Sequence, residues 1–278
     1  MYQAHLMPFK NTVRSLANHI FKKRLAGMNK FKNTHSGESC YILGDGPSIS
    51  WVDFSKLSDK PAICCGMIPF HQDFSLLDVR YAALVEPWLF CPTWVKRESY
   101  LRELTGMSNC YKEVIEKNRN LNFFAHLSNS FSLKGENVFY VNDTLVGNEE
   151  VLASSLREMN LFAGSFHATL AIAFHLGFTS VYLVGFDAWT LYPAKNRRWY
   201  EKGMGEDFDA TNLALDYLSI LKNYMDIFTV SISGSSKNLE AISYENLTGS
   251  KAKYRENYEL MDRKYLLELA KCPEYDIF

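Results

Sequence analysis

The residues whose types and spacing suit chemistry fall into a few short blocks. Gly44-Asp45-Gly46-Pro47-Ser48 follows an apolar run directly. Its glycines allow a sharp turn and bring backbone N–H groups close to a ligand, so a nucleotide phosphate or ribose is the expected guest. The block lacks the third glycine of the dinucleotide fingerprint and the lysine of a P-loop, so a tight turn with no ligand is the alternative. Gly185-Phe186-Asp187 and Glu86-Pro87 close two more apolar runs. Carboxylates there can hold ribose hydroxyls, bind Mg²⁺ or move protons, and they can equally cap a helix or pair with a lysine. Gly164-Ser165 opens a helical stretch whose first amides suit an anion. His167, just beyond, reads either as a proton acceptor or as a core imidazole bonded to backbone. His175, in the last turn, complements the helix dipole.

These blocks need a sheet to position them. Cys40–Leu43, Ala62–Cys65, Tyr81–Val85, Val138–Val141, Ser180–Val184 and Ile227–Ile232 are continuous apolar runs, the pattern of strands covered on both faces. Helices are expected over Ser165–Leu176 and Ala210–Met225, the second capped by Asp209. Strands alternating with helices predict an α/β fold with a doubly wound, mostly parallel, Rossmann-like sheet. Residues 188–208 break that rhythm: they are polar and aromatic without apolar periodicity. A loop of this length reads as a lid over a site. Its cations Lys195, Arg197, Arg198 and Lys202 either grip a phosphate or a sugar carboxylate or are simply solvated.

The chain has 278 residues, with 30 Lys+Arg against 31 Asp+Glu. That balance excludes the basic excess of a nucleic-acid binder. Residues 1–33 nevertheless hold seven basic side chains (Lys10, Arg14, Lys22, Lys23, Arg24, Lys30, Lys32) and no acidic one. With Phe9, Val13, Leu16 and Ile20 at helical spacing, this segment reads as a basic amphipathic helix. It suits an anionic membrane surface, or packing on its own domain or a partner subunit. The expected organisation is therefore a helix over 1–33 and a nucleotide-binding domain over 34–278 with its lid at 188–208. Cys40, Cys64, Cys65, Cys91, Cys110 and Cys272 show no metal-ligand spacing and read as free thiols of a reducing compartment. No apolar run is long enough to cross a bilayer, so a cytoplasmic location is expected, with the inner membrane face as the place for the basic helix.

Taken together, the blocks resemble the bacterial sialyltransferases that modify lipooligosaccharides. They also resemble the wider superfamily holding motility-associated flagellin glycosyltransferases and an archaeal pterin pyrophosphokinase. The residues that carry the likeness are Ile42-Leu43-Gly44-Asp45-Gly46-Pro47-Ser48-Ile49 with Val52-Asp53, then Ser165 with Ala171-Ile172-Ala173 and Leu176-Gly177-Phe178. Val181-Tyr182-Leu183-Val184-Gly185-Phe186-Asp187, Leu213-Ala214-Leu215 and the run at Ile227–Ile232 complete it. It covers residues 39–245, apart from 95–158. Asp45, Gly66 and Glu86 stand where the family has asparagine, Trp189 where it has a lid tyrosine, and Glu206 where it has the histidine taken as general base.

The resemblance implies sugar transfer from a nucleotide donor, CMP-linked in the sialyltransferases, to a glycan acceptor, with neither cofactor nor metal and with peripheral membrane association. It assigns nucleotide binding to Gly44, Asp45, Gly46, Pro47, Ser48, Gly66, Glu86, Gly164, Ser165, Gly185, Phe186, Asp187 and Trp189. Tyr192, Arg197 and Arg198 are candidates for substrate contact, and Glu206 or His167 for the base. Family members often form homo-oligomers. The alternatives are a Mg²⁺-dependent pyrophosphokinase using ATP and a relative that kept the fold without catalysis.

Overall fold

The computed structural model describes residues 16, 19–96, 99–143, 158–159, 164–187, 198–203, 215–236 and 239–278. Among them, nine parallel strands form one sheet: β1 (Ser39–Leu43), β2 (Pro61–Cys65), β3 (Asp78–Leu84), β4 (Asn122–His126), β5 (Val138–Asp143), β6 (Glu158–Met159), β7 (Ser180–Val184), β8 (Asp226–Ser231) and β9 (Glu240–Ser243). The helices are α1 (Lys22–Leu25), α2 (Ser99–Glu103), α3 (Thr105–Lys117), α4 (Ser165–Leu176), α5 (Leu215–Leu221), α6 (Tyr244–Thr248), α7 (Asn257–Leu260) and α8 (Arg263–Leu269). The spatial order of the strands is β6-β5-β4-β3-β2-β1-β7-β8-β9. The chain thus winds outward from β1 to one edge, returns to lay β7 against β1, and winds outward the other way. The doubly wound expectation holds.

Parallel strands need crossovers that cover the sheet faces, and alternate residues of each strand feed two separate cores. Tyr41, Leu43, Cys64, Leu84 and Phe123 pack on one face with α3 and α8. Cys40, Ile42, Ile63, Cys65 and Phe124 pack on the other with α4 and α5. Helix α4 is apolar nearly all round and buries most of its residues in the second core, with its C-terminal end touching the N-terminal segment. It stops at Gly177, left-handed at φ +89, whose N–H caps the carbonyls of Ala173 and Phe174.

The described part of the basic N-terminal segment belongs to this domain, so residue 33 is no boundary. The short α1 runs into a 3₁₀ turn over Ala26–Phe31, burying Leu25, Met28 and Phe31. Phe31 meets Tyr81, Phe124 and Phe139 edge-on, and Arg24 Nη1 donates to Ser130 Oγ at 2.8 Å. His175 Nε2 lies 3.0 Å from the Met28 carbonyl, so this histidine ties α4 to the segment rather than answering the dipole alone. Leu16 and Ile20 remain exposed; residues 1–15 lie outside the described residues. Among the described residues no helix is long and apolar enough to cross a membrane. The six cysteines are free.

Candidate functional site

The strand order reverses at β1, where the neighbours are β2 on one side and β7 on the other. In an open α/β sheet, ligands sit beyond the carboxyl ends of strands at such a reversal. Leu43 and Val184 are register partners, so the Gly44–Ser48 and Gly185–Asp187 turns emerge side by side at that point.

The two turns are bonded to each other. Gly44 N–H donates to the Val184 carbonyl at 2.9 Å, Gly46 N–H to the Gly185 carbonyl at 2.7 Å, and Ser48 N–H to Asp187 Oδ2 at 2.9 Å. This corrects the expectation that these amides cradle a phosphate, because all three already have protein acceptors. The glycines serve close approach of backbone to backbone instead. A Cβ on Gly46 would lie 1.9 Å from Asp187 Oδ2, and one on Gly44 would meet the Phe186 ring at 2.8 Å. Gly185, at φ +74, would put its own 2.6 Å from the Gly44 carbonyl oxygen. Pro47 starts the 3₁₀ turn Pro47–Trp51 and Ser48 is buried within it. Buried Asp187 holds the first turn in shape.

Asp45 turns its side chain toward the end of β2, deep in the protein yet still reached by solvent. Its Oδ1 accepts the Met67 N–H at 2.8 Å and the Trp199 indole N–H at 3.1 Å, while Trp199 N–H reaches its carbonyl at 3.2 Å. Gly66, the β2-end position assigned to nucleotide contact, is left-handed at φ +58, and a Cβ there would sit 1.7 Å from Asp45 Oδ2. Burial pushes the carboxyl up to about 6, opposed by the Met67 and Trp199 hydrogen bonds and the Arg198 charge. Proton exchange near neutrality is thus within reach of this group.

Trp199 and Tyr200 fall inside the predicted lid but are fully buried. Residues 198–203 are instead an anchor packed on the C-terminal segment. Arg198 lies 4.7 Å over the Tyr275 ring, and the Tyr200 carbonyl accepts from Asn257 Nδ2. Lys202 pairs with Asp276 and its Nζ donates to the Phe278 carbonyl, so this cation holds the tail rather than a substrate. Of the remaining lid candidates, Trp189, Tyr192, Lys195, Arg197 and Glu206 lie outside the described residues, as does the rest of 188–208.

Gly164 opens α4 at φ +65, with nothing among the described residues within 4 Å of its Cβ position, and Ser165 is half-buried. Phe166 brings this helix start to the site, with its ring 5.3 Å from that of Phe186. His167 is only 2% exposed, and burial lowers its pKa to about 4. It is therefore an uncharged imidazole of low basicity, which fits the core reading better than the base reading.

Glu86, beyond β3, is exposed, and its carbonyl accepts from Asn129 Nδ2 at 2.9 Å. The residues around it carry no signal in the sequence. Fully buried Asn129 also accepts the Phe90 N–H at 2.9 Å, and Ser128 Oγ accepts the Trp88 N–H at 2.9 Å. Trp88 is held left-handed at φ +65, a backbone cost of about 1–3 kcal/mol. His71 is equally silent in the sequence. It is buried against Phe54 and Trp199, its Nδ1 accepts the Asp73 N–H, and its Nε2 has no hydrogen-bond partner among the described residues. Nothing in the chain's periodicity marks Asn129 or His71, whose roles exist only across long sequence separations. Among the described residues, no group of three or more His, Cys, Asp or Glu is placed to hold a metal ion.

The molecule is thus an open, doubly wound α/β domain with its glycine turns at the reversal. It is similar in structure to the Maf glycosyltransferase of Magnetospirillum magneticum AMB-1, at 14% identity and TM-score 0.46, over 91% of this chain and 42% of that one. It is similar to the sialyltransferase CstII of Campylobacter jejuni, in complex with a substrate analogue, cytidine-5'-monophosphate, at 14% identity and TM-score 0.43, over 85% and 99% of the two chains. The monofunctional alpha-2,3-sialyltransferase Cst-I of the same organism matches at 16% identity and TM-score 0.42, over 86% and 95%. No protein-family model matches the chain, and no curated protein sequence does.

Proposed function

We propose that the chain is a glycosyltransferase of the sialyltransferase-like kind, moving a sugar from a CMP-linked donor to a hydroxyl of a glycan acceptor. The observation that carries this reading is the meeting of the Gly44–Ser48 and Gly185–Asp187 turns at the reversal of strand order, with Asp45 and Arg198 beside them. With three turn amides already bonded, the groups left to receive the nucleotide are side chains, the α4 start at Gly164-Ser165 and Trp189 from the lid segment. The Arg198 charge acts on Asp45, and with Tyr192 and Arg197 it would meet the donor's sugar and phosphate.

In the transfer, the bond from the anomeric carbon to the phosphate oxygen breaks and the nucleotide leaves with the electron pair. The acceptor oxygen forms the new bond and gives up its proton. The low basicity of His167 leaves Glu206 as the better receiver of that proton. Peripheral attachment through the basic N-terminal segment, residues 1–33, and self-association belong to the same reading.

The test is a thermal-shift series with CMP, CDP, UDP, GDP and ATP, each with and without Mg²⁺, since a ligand stabilises the state that binds it. Cytidine nucleotides should raise the melting temperature without metal. A shift with ATP and Mg²⁺ alone would favour pyrophosphoryl transfer, and no shift with any nucleotide would remove the reading. Glu206→Gln should cut transfer by about two orders of magnitude or more while leaving the CMP shift in place.

A further inference from the structure

We infer that the strap following β3, residues 85–96, is a sugar-stacking platform with Trp88 at its centre, and that it seats the acceptor glycan. The inference rests on the transferase reading and names the subsite at which its second substrate binds. The strap's inner side is fixed to the body by buried polar groups. Asn129 holds the Glu86 carbonyl and the Phe90 N–H, Ser108 Oγ donates to the Leu89 carbonyl at 2.8 Å, and Lys96 Nζ donates to the Leu101 carbonyl at 3.0 Å. Leu89, Phe90 and Cys91 are buried against the body.

The two tryptophans do the opposite. Trp88 is 44% exposed and Trp94 85% exposed, although a large indole gains most from burial. Trp88 also takes a left-handed backbone that a bulky side chain resists, and the Ser128 Oγ and Asn129 contacts keep it there. A rigid strap that holds a strained residue with its ring toward water presents a surface for a ligand. The π-face of an indole is electron-rich and attracts the polarised C–H groups on one face of a pyranose, a contact that needs no charge.

Position supports the same occupant. Trp88 follows the carboxyl end of β3, on the sheet edge where the Gly44–Ser48 turn lies. With β2 alone between them, β3 and β1 end about 10 Å apart, and the bonds of the strap to Ser128 and Asn129 set Trp88 toward the β4 side of β3. That places a sugar ring beside, rather than on top of, a donor held at the reversal.

The experiment follows indole ¹H–¹⁵N signals of the full chain, assigned by single substitution, with CMP present. Lactose, methyl α-mannoside and N-acetylneuraminic acid are titrated separately. The Trp88 signal should move with at least one of them while the buried Trp199 signal stays still. Trp88→Phe should retain binding of that sugar, and Trp88→Ala should weaken it about tenfold. Trp88→Gly relieves the left-handed backbone, so it should melt no lower than the wild type and yet lose the sugar response.

A motionless Trp88 signal with all three sugars overturns the platform, as does undiminished binding by Trp88→Gly. Sugar-independent movement of that signal with protein concentration, matched by faster sedimentation, would make the strap a self-association surface and also overturn it. The thermal shift with CMP is read separately. Platform failure with a CMP shift leaves the transferase reading intact, whereas loss of the shift removes that reading whatever Trp88 does.

Discussion

Replacing Asp45 by asparagine isolates the energetic consequence of a carboxylate placed deep in the fold. In the wild type, burial raises its pKa from 3.8 to about 6. The folded state therefore holds this proton more tightly than the unfolded chain does. The stabilisation from that proton is complete below about pH 4 and is lost as pH rises through about 6. A difference of about two units is worth about 3 kcal/mol at most, so above pH 7 the ionised wild type lacks that much relative to a neutral isostere. The carboxamide oxygen introduced by Asp45→Asn can take the Oδ1 position and keep both acceptor bonds, from Met67 N–H and the Trp199 indole. Partial solvent contact and weaker hydrogen bonds to a neutral acceptor reduce the gain to about 1–3 kcal/mol. Denaturant unfolding of both proteins across pH 4 to 8 measures it. Asp45→Asn should match the wild type at pH 4 and exceed it at pH 8, by about 2–4 °C in melting temperature per kcal/mol. The difference between the two proteins matters, because buried histidines impose an opposite slope on each. A difference that does not change with pH, or that favours aspartate at pH 8, would refute the assignment of a raised pKa to this group.

Gly46→Ala drives a methyl to within 1.9 Å of Asp187 Oδ2 and must separate the two turns; a loss of about 3 kcal/mol or failure to accumulate as soluble protein is expected. Gly66→Ala collides with the Asp45 carboxylate, so combining it with Asp45→Ala should cost at least about 1 kcal/mol less than the sum of the single changes, measured as a double-mutant cycle. His71 and His167 are both held at about 4 by burial. Each therefore contributes stability that is full above about pH 6.5 and is lost as pH falls through 4, up to about 3 kcal/mol apiece, and His71→Gln or His167→Gln should flatten that acid limb in denaturation curves. Phe31→Ala should cost about 3–5 kcal/mol in equilibrium unfolding if the N-terminal segment is part of the domain core; a change under about 1 kcal/mol would return residues 22–33 to the status of a separate arm.

Much of the architecture is local and legible without coordinates. The apolar runs at β1, β2, β3, β5, β7 and β8 mark themselves, because strands covered on both faces have no polar alternation. β4 and β9 do not. Asn122-Phe-Phe-Ala-His is short and ends in polar residues, and Glu240-Ala-Ile-Ser is half-exposed at the sheet edge. α3 is hidden too, since its buried face is interrupted by Ser108 and Cys110. The glycine blocks are legible because only glycine tolerates such close backbone approach, yet what approaches is another turn, and that depends on β7 lying beside β1.

The chain's own chemistry determined the α/β class, the parallel sheet and the positions at which the backbone must turn, because hydrophobic period and glycine placement act over a few residues. Tertiary packing decided how the same residues are used. It joined Asp45 to Trp199 across 154 positions, tied Ser48 to Asp187 across 139, and put Asn129 under Glu86. It also buried part of the supposed lid and drew Leu25, Met28 and Phe31 of the basic N-terminal segment into the core. Burial, pKa and hydrogen-bond partnership depend on which distant segments are brought together, and a local pattern carries no record of that.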